Sequence, residues 1–141
     1  METIELNAEN IAQYLPDCVE LQKYLVTDPT TIDSDFFVKT AECSHSYLVG
    51  ILDDEHVVGL GVISKVVHPV NVTGYLNNIV VHPDTRGKGL FSVIMDTLEA
   101  KAKDWHCTDL ALTCSREAVQ GMYIKRGYAE KETGFYLLKI S

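Results

Sequence analysis

The chain is short of positive charge. Its 141 residues carry 12 lysines and arginines against 20 aspartates and glutamates, a net charge of −8. That balance excludes nucleic acid and anionic membrane as general partners. It is compatible with a cationic substrate, although acidity also serves plain solubility. The four cysteines, Cys18, Cys43, Cys107 and Cys114, are scattered and form neither a CxxC pair nor a Cys/His zinc spacing. Buried free thiols explain them better than disulfides or a metal, and no metal is expected. No apolar run reaches membrane-spanning length, and the start Met1-Glu2-Thr3-Ile4-Glu5 is acidic where a secretory leader is basic,. A soluble cytoplasmic protein is the expectation. Neither Gly-x-x-x-x-Gly-Lys-Ser/Thr nor Gly-x-Gly-x-x-Gly occurs, so a nucleotide phosphate loop of either kind is excluded,. There is no internal repeat and no low-complexity segment. At 46% hydrophobic, residues 1–141 suit one domain, with no room for a second,.

What the chain does have is a strand, a glycine loop and a helix in direct succession. Ile79-Val80-Val81 is an apolar β-branched run, His82-Pro83-Asp84 a turn, and Arg86-Gly87-Lys88-Gly89 a glycine-rich entry to a helix running to about Lys103,. The first turn of any helix has backbone N–H groups without intrahelical partners and carries the positive end of the macrodipole. Phosphate oxygens satisfy those donors. Gly87 and Gly89 let main chain approach a diphosphate, and Arg86 and Lys88 add formal charge beside it,. Phe91, Ile94, Met95, Leu98, Ala102 and Trp105 follow at helical spacing, so the loop opens an amphipathic helix,.

The remaining elements read off in order. Thr3–Leu6 alternates as a strand, and Asn7 offers an N-cap to a helix carrying Ile11, Tyr14 and Leu15, which Pro16 is expected to kink or restart,. A second helix starts at Asp33 or Ser34 and carries Phe36, Phe37 and Ala41,. Ser46–Leu52 and His56–Val67 form a hairpin around Asp53-Asp54-Glu55, with Gly59 and Gly61 marking a bulge or a close approach,. After a connection over His68–Gly74 comes the strand Tyr75–Val81. Thr108–Thr113 is a further strand, Ser115 caps a helix over Arg116–Lys125, Gly127 stops it, and Gly134–Ile140 is a final strand,. The order β-α-α-β-β-β-α-β-α-β is that of a mixed α/β sandwich with a central sheet.

The loop block closely resembles the acetyl-CoA-binding motif of the GNAT N-acetyltransferases, which reads Arg or Gln, two residues, Gly, one residue, then Gly or Ala. Arg86 and Gly89 match, and Phe91 departs. Met122-Tyr123-Ile124-Lys125-Arg126-Gly127-Tyr128 is similar to the family's late helix ending in Tyr-x-x-x-Gly-aromatic. The resemblance covers about Tyr47 to Ile140 and implies a GNAT-like sheet of about six to seven strands flanked by helices. It implies acetyl-CoA as co-substrate and transfer of acetyl to a primary amine, a small amine or amino sugar, by direct attack. By the same resemblance Ile79, Val80 and Val81 pair with the pantetheine arm, and Arg86, Gly87, Lys88, Gly89, Leu90 and Phe91 hold the diphosphate. Arg116 stands where relatives place an Asn, and either reaches the coenzyme or is a plain exposed helix residue. Tyr24, Phe36, Phe37 and Tyr47 are candidate walls of the acceptor site, with plain core aromatics as the equal alternative.

Tyr123 is the implied acid for the departing thiolate, because a phenol with an ordinary pKa near ~10 keeps its proton at neutral pH. The general base is the departure. Where many relatives carry a carboxylate on the motif strand, Asn77 and Asn78 stand here, and an amide accepts no proton at neutral pH but can hold water or orient a substrate,. Glu42, His45 and His68 remain as bases, beside a water chain or an amine of low pKa. The strand and the Cys107…Cys114 region also resemble the small glucosamine-phosphate N-acetyltransferases, without carrying their substrate over. Two alternatives stay open: a protein amine acetyltransferase, and a non-catalytic acyl-CoA-binding or protein-interaction module. The tail from Phe135 to Ile140 either pairs across a homodimer or completes its own sheet.

Overall fold

Hairpin alternation organises the sheet. A computed structural model describes residues 1–140, and five strands in it form one sheet in the order β1-β2-β3-β4-β5. These are β1 Glu2–Leu6, β2 Ser46–Asp53, β3 His56–Val67, β4 Val72–Val81 and β5 Asp109–Ala111. The first four run antiparallel to their neighbours, and β5 lies parallel to β4. Four helices flank the sheet: α1 Ile11–Gln22, α2 Ser34–Glu42, α3 Leu90–Asp104 and α4 Glu117–Lys125.

Each face of the sheet has its own core. Leu6, Leu48, Leu60, Val62 and Val80 pack with Ile11, Cys18 and Leu21 of α1 on one side. Val49, Ile51, Ile63 and Leu76 pack with Ile94, Met95 and Leu98 of α3 on the other. The period-two alternation of the strands thus divides their side chains between two helical layers.

Helix α3 lies close to the sheet because Gly61 has no side chain: a Cβ there would meet Ile94 Cγ2 at 2.6 Å and Leu98 Cδ1 at 3.0 Å. Close approach is therefore the meaning of this glycine. The bulge lies elsewhere. Leu60 pairs with Val80 but Val62 with Asn77, so β4 carries one extra residue, and Asn78 absorbs it at φ 55°.

Several boundaries differ from expectation. Helix α1 runs through Pro16 without a restart, since burial of Cys18, Leu21 and Gln22 on the same face outweighs one missing N–H,. Asn7 does not cap it: the side chain accepts from the N–H groups of Glu9 and Asn10, one turn early. Asn10 is the capping position. Strand β4 begins at Val72, three residues before the expected Tyr75. Strand β5 has three residues instead of six, and Arg116 rather than Ser115 precedes α4. Cys18 is buried and its thiol pushed up to about 12 by desolvation, but Cys43 is exposed, so burial does not account for all four free thiols. Most consequential, Gly134–Ile140 joins no strand. The sheet accordingly has five strands among the described residues, not six or seven.

Candidate functional site

The extra residue in β4 builds a pocket. Without it, side chains would alternate between the faces; with Asn78 in the left-handed region, Asn77 and Asn78 both reach the face covered by α1 and α2, while Ile79 and Val81 turn to α3 and Val80 to α1. Asparagine is among the few residues that tolerate this backbone, and bulges concentrate at functional sites. The two amides line a cavity of about 310 Å³ whose apolar wall includes Phe36 and Phe37 of α2, Ile32, and Leu48 and Val62 of the sheet. Ser46 and Ser64, paired across β2 and β3 with hydroxyls 3.0 Å apart, add polar lining. Asp33 is also in the lining, its carboxylate accepting from Asp35 N–H at 2.9 Å as the N-cap of α2.

Of the lining residues that sequence reasoning missed, Gln22 is the most buried polar one. Gln22, the last residue of α1, is 5% exposed, and its Oε1 accepts from Asn78 Nδ2 at 2.7 Å. Its Nε2 is buried with no partner. The available signal was positional: four residues after the buried Cys18, a glutamine stands on the apolar face of the helix,.

Of the four expected wall aromatics, Phe36 and Phe37 line this cavity. Tyr47 does not. It follows Ser46 on β2 and therefore faces the opposite layer, where Lys101 sits 4.8 Å above its ring. Tyr24 lies instead at the end of β4, edge to face with His82 at 5.6 Å. Its carbonyl accepts from Arg116 Nη2 at 2.8 Å, so Arg116 staples the start of α4 to the segment after α1.

Beyond the pocket, β4 has an open edge. Strand β5 pairs only with Thr73–Tyr75, so from Leu76 to Val81 no described strand lies against the edge remote from β3. The side chains of Ile79, Val80 and Val81 are spent on the two cores, leaving main-chain groups as what this edge presents,. His82 then closes a tight turn, its Nδ1 accepting from Asp84 N–H at 3.1 Å, and Arg86 Nε donates to Val81 O at 3.2 Å. Gly87 and Gly89 follow at φ 81° and 78°, with open space where a Cβ would stand. The first intrahelical bond of α3 is donated by Val93 to Gly89, so the N–H groups of Leu90, Phe91 and Ser92 stand ahead of it. Lys88 is exposed on the same loop.

Phe91 connects this loop to α4. Its ring meets that of Tyr123 edge to face at 5.4 Å, and Tyr123 meets Tyr128 at 5.9 Å. Burial, then the neighbouring Cys114, hold the Tyr123 phenol above its ordinary pKa. The end of α4 is clamped to α3: Arg126 reaches Asp96 and, at 2.7 Å, Glu99, and Tyr128 donates to Glu99 at 2.8 Å. These bonds keep the guanidinium charged and push the Tyr128 phenol up, burial acting first there and the Glu99 bond second.

The acetyltransferase (GNAT) family model matches residues 10–128, a span that takes in the motif strand, the glycine turn, α3 and α4. The chain belongs to the GNAT acetyltransferase family. Among curated protein sequences none matches significantly. Solved structures share the fold at low identity. A ribosomal-protein-alanine N-acetyltransferase from Brucella melitensis biovar Abortus 2308 is similar with a TM-score of 0.75 and 20% identity, over 99% of this chain and 100% of the other. A glucosamine-6-phosphate N-acetyltransferase from Arabidopsis thaliana gives 0.80 and 16% over 97% of both. An acetyltransferase from Clostridium acetobutylicum, solved with acetyl-CoA, gives 0.79 and 16% over 97% and 95%. As a GNAT acetyltransferase the chain is an acyltransferase, and no described helix is long and apolar enough to cross a membrane.

Proposed function

We propose that this GNAT acetyltransferase moves the acetyl group of acetyl-CoA to the primary amine of a small acceptor by direct attack. The observation that carries the proposal is the continuity of one path: the cavity at Asn77 and Asn78, the open edge of β4, and the glycine turn beside Phe91 and Tyr123. The pantetheine arm pairs with main chain of Ile79, Val80 and Val81. Arg86, Gly87, Lys88, Gly89 and the N–H groups of Leu90 and Phe91 hold the diphosphate, in the manner of a helix N-terminus with two cations beside it. Phe91, at the position where a small residue is usual, uses its side chain to support Tyr123 while its N–H stays with the phosphate.

In the reaction the neutral amine attacks the thioester carbonyl carbon, the C–N bond forms and charge collects on the carbonyl oxygen. The C–S bond then breaks, and the thiolate takes the proton of Tyr123, which regains one as the amide nitrogen loses its own to solvent. Asn77 and Asn78 orient the acceptor and take no proton. The amine therefore arrives deprotonated through the open pocket. We also infer that two copies associate through the apolar segment Phe135–Ile140, whose five apolar side chains are 73–93% exposed,.

Calorimetry tests the donor site. Wild type should bind acetyl-CoA at micromolar affinity, and Gly89→Glu, which adds a negative charge and a side chain at φ 78°, should not. Equal binding by both proteins overturns the loop assignment, and binding by neither overturns the acetyltransferase reading for this chain.

A further inference from the structure

The lining of the cavity at the β4 bulge includes one residue with a buried, unpaired donor and includes no cation. Gln22 is 95% removed from solvent, and its Nε2 has no hydrogen-bond partner. A buried amide donor left unpaired is costly, and native structures leave one so where a ligand, water or ion completes it. The other neutral polar residues of the lining are Thr31, Thr40, Ser46, Ser64, Asn77 and Asn78. Asp33 is the single ionisable residue of the lining, and it is negative. Lys39, the cation nearest in sequence to Phe36, lies over that ring at 5.5 Å and is not part of the lining.

Resting on the acetyltransferase reading above, we propose that the acceptor is an amine bearing an uncharged carbonyl or hydroxyl oxygen and no phosphate or carboxylate, and that Gln22 Nε2 is the donor that selects that oxygen. An anionic group brought here would lose its hydration, find no counter-charge among the described lining residues and face Asp33. A carbonyl or hydroxyl oxygen meets a donor already stripped of water and held by Asn78, which fixes the Gln22 amide through Oε1. The apolar wall of Phe36, Phe37 and Ile32 contributes non-directional binding around that one polar contact. The site thus separates this chain from the Arabidopsis neighbour named for glucosamine 6-phosphate, whose substrate carries the anion that this cavity rejects.

Matched probes test it: phenylalaninamide against phenylalanine, and glucosamine against glucosamine 6-phosphate. Each is titrated by NMR into the full chain with CoA present, observing the side-chain amide of Gln22, which Gln22→Leu assigns by its disappearance. At least one probe without carboxylate or phosphate should shift that resonance and bind about 10-fold or more tighter than its partner that bears one. Gln22→Leu should weaken that probe about 10-fold; its Tm reflects two opposed changes, an unpaired buried donor removed and Asn78 Nδ2 left without its acceptor,. Equal or tighter binding of the anionic partners overturns the proposal. So does unchanged probe affinity in Gln22→Leu, with or without a lower Tm, or the absence of binding by both phenylalaninamide and glucosamine at tens of millimolar. Failure of the acetyltransferase reading would look different: acetyl-CoA unbound and no thiol released, with the amine titrations unaffected.

Discussion

A departing thiolate needs a group that still has its proton, and Tyr123 is kept that way by its surroundings. Burial between Phe91 and Tyr128, then the charge of nearby Cys114, disfavour the phenolate, so the phenol titrates above its ordinary range near ~10,. The acid form is full below that pKa and is lost only as pH rises through it, which puts any alkaline limb of kcat beyond pH ~10. With no proton acceptor at Asn77 or Asn78, kcat/KM should climb with pH until the acceptor amine itself is neutral. Tyr123→Phe should lower kcat by about 100-fold and leave that rising limb in place. Steady-state profiles over several amines check this: a limb that follows each amine's pKa supports the arrangement, and one fixed pKa across amines would reveal a protein base. Tyr123 stands out in the sequence because Gly127 and Tyr128 share its motif, and the fold packs its ring against Phe91. Gln22 does not, since its partner Asn78 lies 56 residues away and no local pattern joins them.

Elements meet here at two contacts of different kinds. Helix α3 rests on β3 at Gly61, and Gly61→Ala would drive a Cβ to 2.6 Å from Ile94 Cγ2. That overpacking should cost about 1–3 kcal/mol and lower Tm by roughly 5–10 °C, read by thermal denaturation. Along the same stretch α3 holds α4 through Arg126, whose side chain is 18% exposed beside Glu99 at 26% and Asp96 at 72%. The Asp96 leg is screened by water and adds little; the Glu99 leg, shared with Tyr128, does most of the clamping. Arg126→Met should cost about 1–2 kcal/mol and, by loosening α4, reduce kcat more than it raises the KM for acetyl-CoA. The hairpin β2–β3, the glycine loop and helix α3 were legible because periodicity and turn residues agree there. The bulge was not: Asn77-Asn78 looks like ordinary strand until the register against Leu60 and Val62 is known. Pro16 misled for a related reason, since the packing of Cys18, Leu21 and Gln22 that holds α1 together is tertiary.

At the scale of the whole molecule, apolar surface is distributed unevenly. Phe135, Tyr136, Leu137, Leu138 and Ile140 are 76%, 93%, 73%, 80% and 88% exposed in the single chain, and Lys139 is the one charge among them. Strand propensity at Gly134–Ile140 was plain in the sequence, but a strand needs an edge, and whose edge it takes is a property of the assembly. In the single chain the segment does not use the edge of β5, which has three paired residues. A run this apolar, nearly uncharged and without proline is of the kind that pairs with another chain. Sedimentation should therefore show a concentration-dependent dimer at tens of micromolar. The double variant Tyr136→Glu and Leu138→Glu places two carboxylates at alternate positions and should sediment as a monomer. Because those side chains are 93% and 80% exposed in the isolated chain, the variant's Tm should match that of wild type at concentrations low enough to be monomeric. A lower Tm there would mean that the segment packs within its own chain in solution, and a wild type that stays monomeric would remove the dimer altogether. The cavity at Gln22 lies on the α1 and α2 side of the sheet, away from β5, so losing the dimer should leave amine binding as it was.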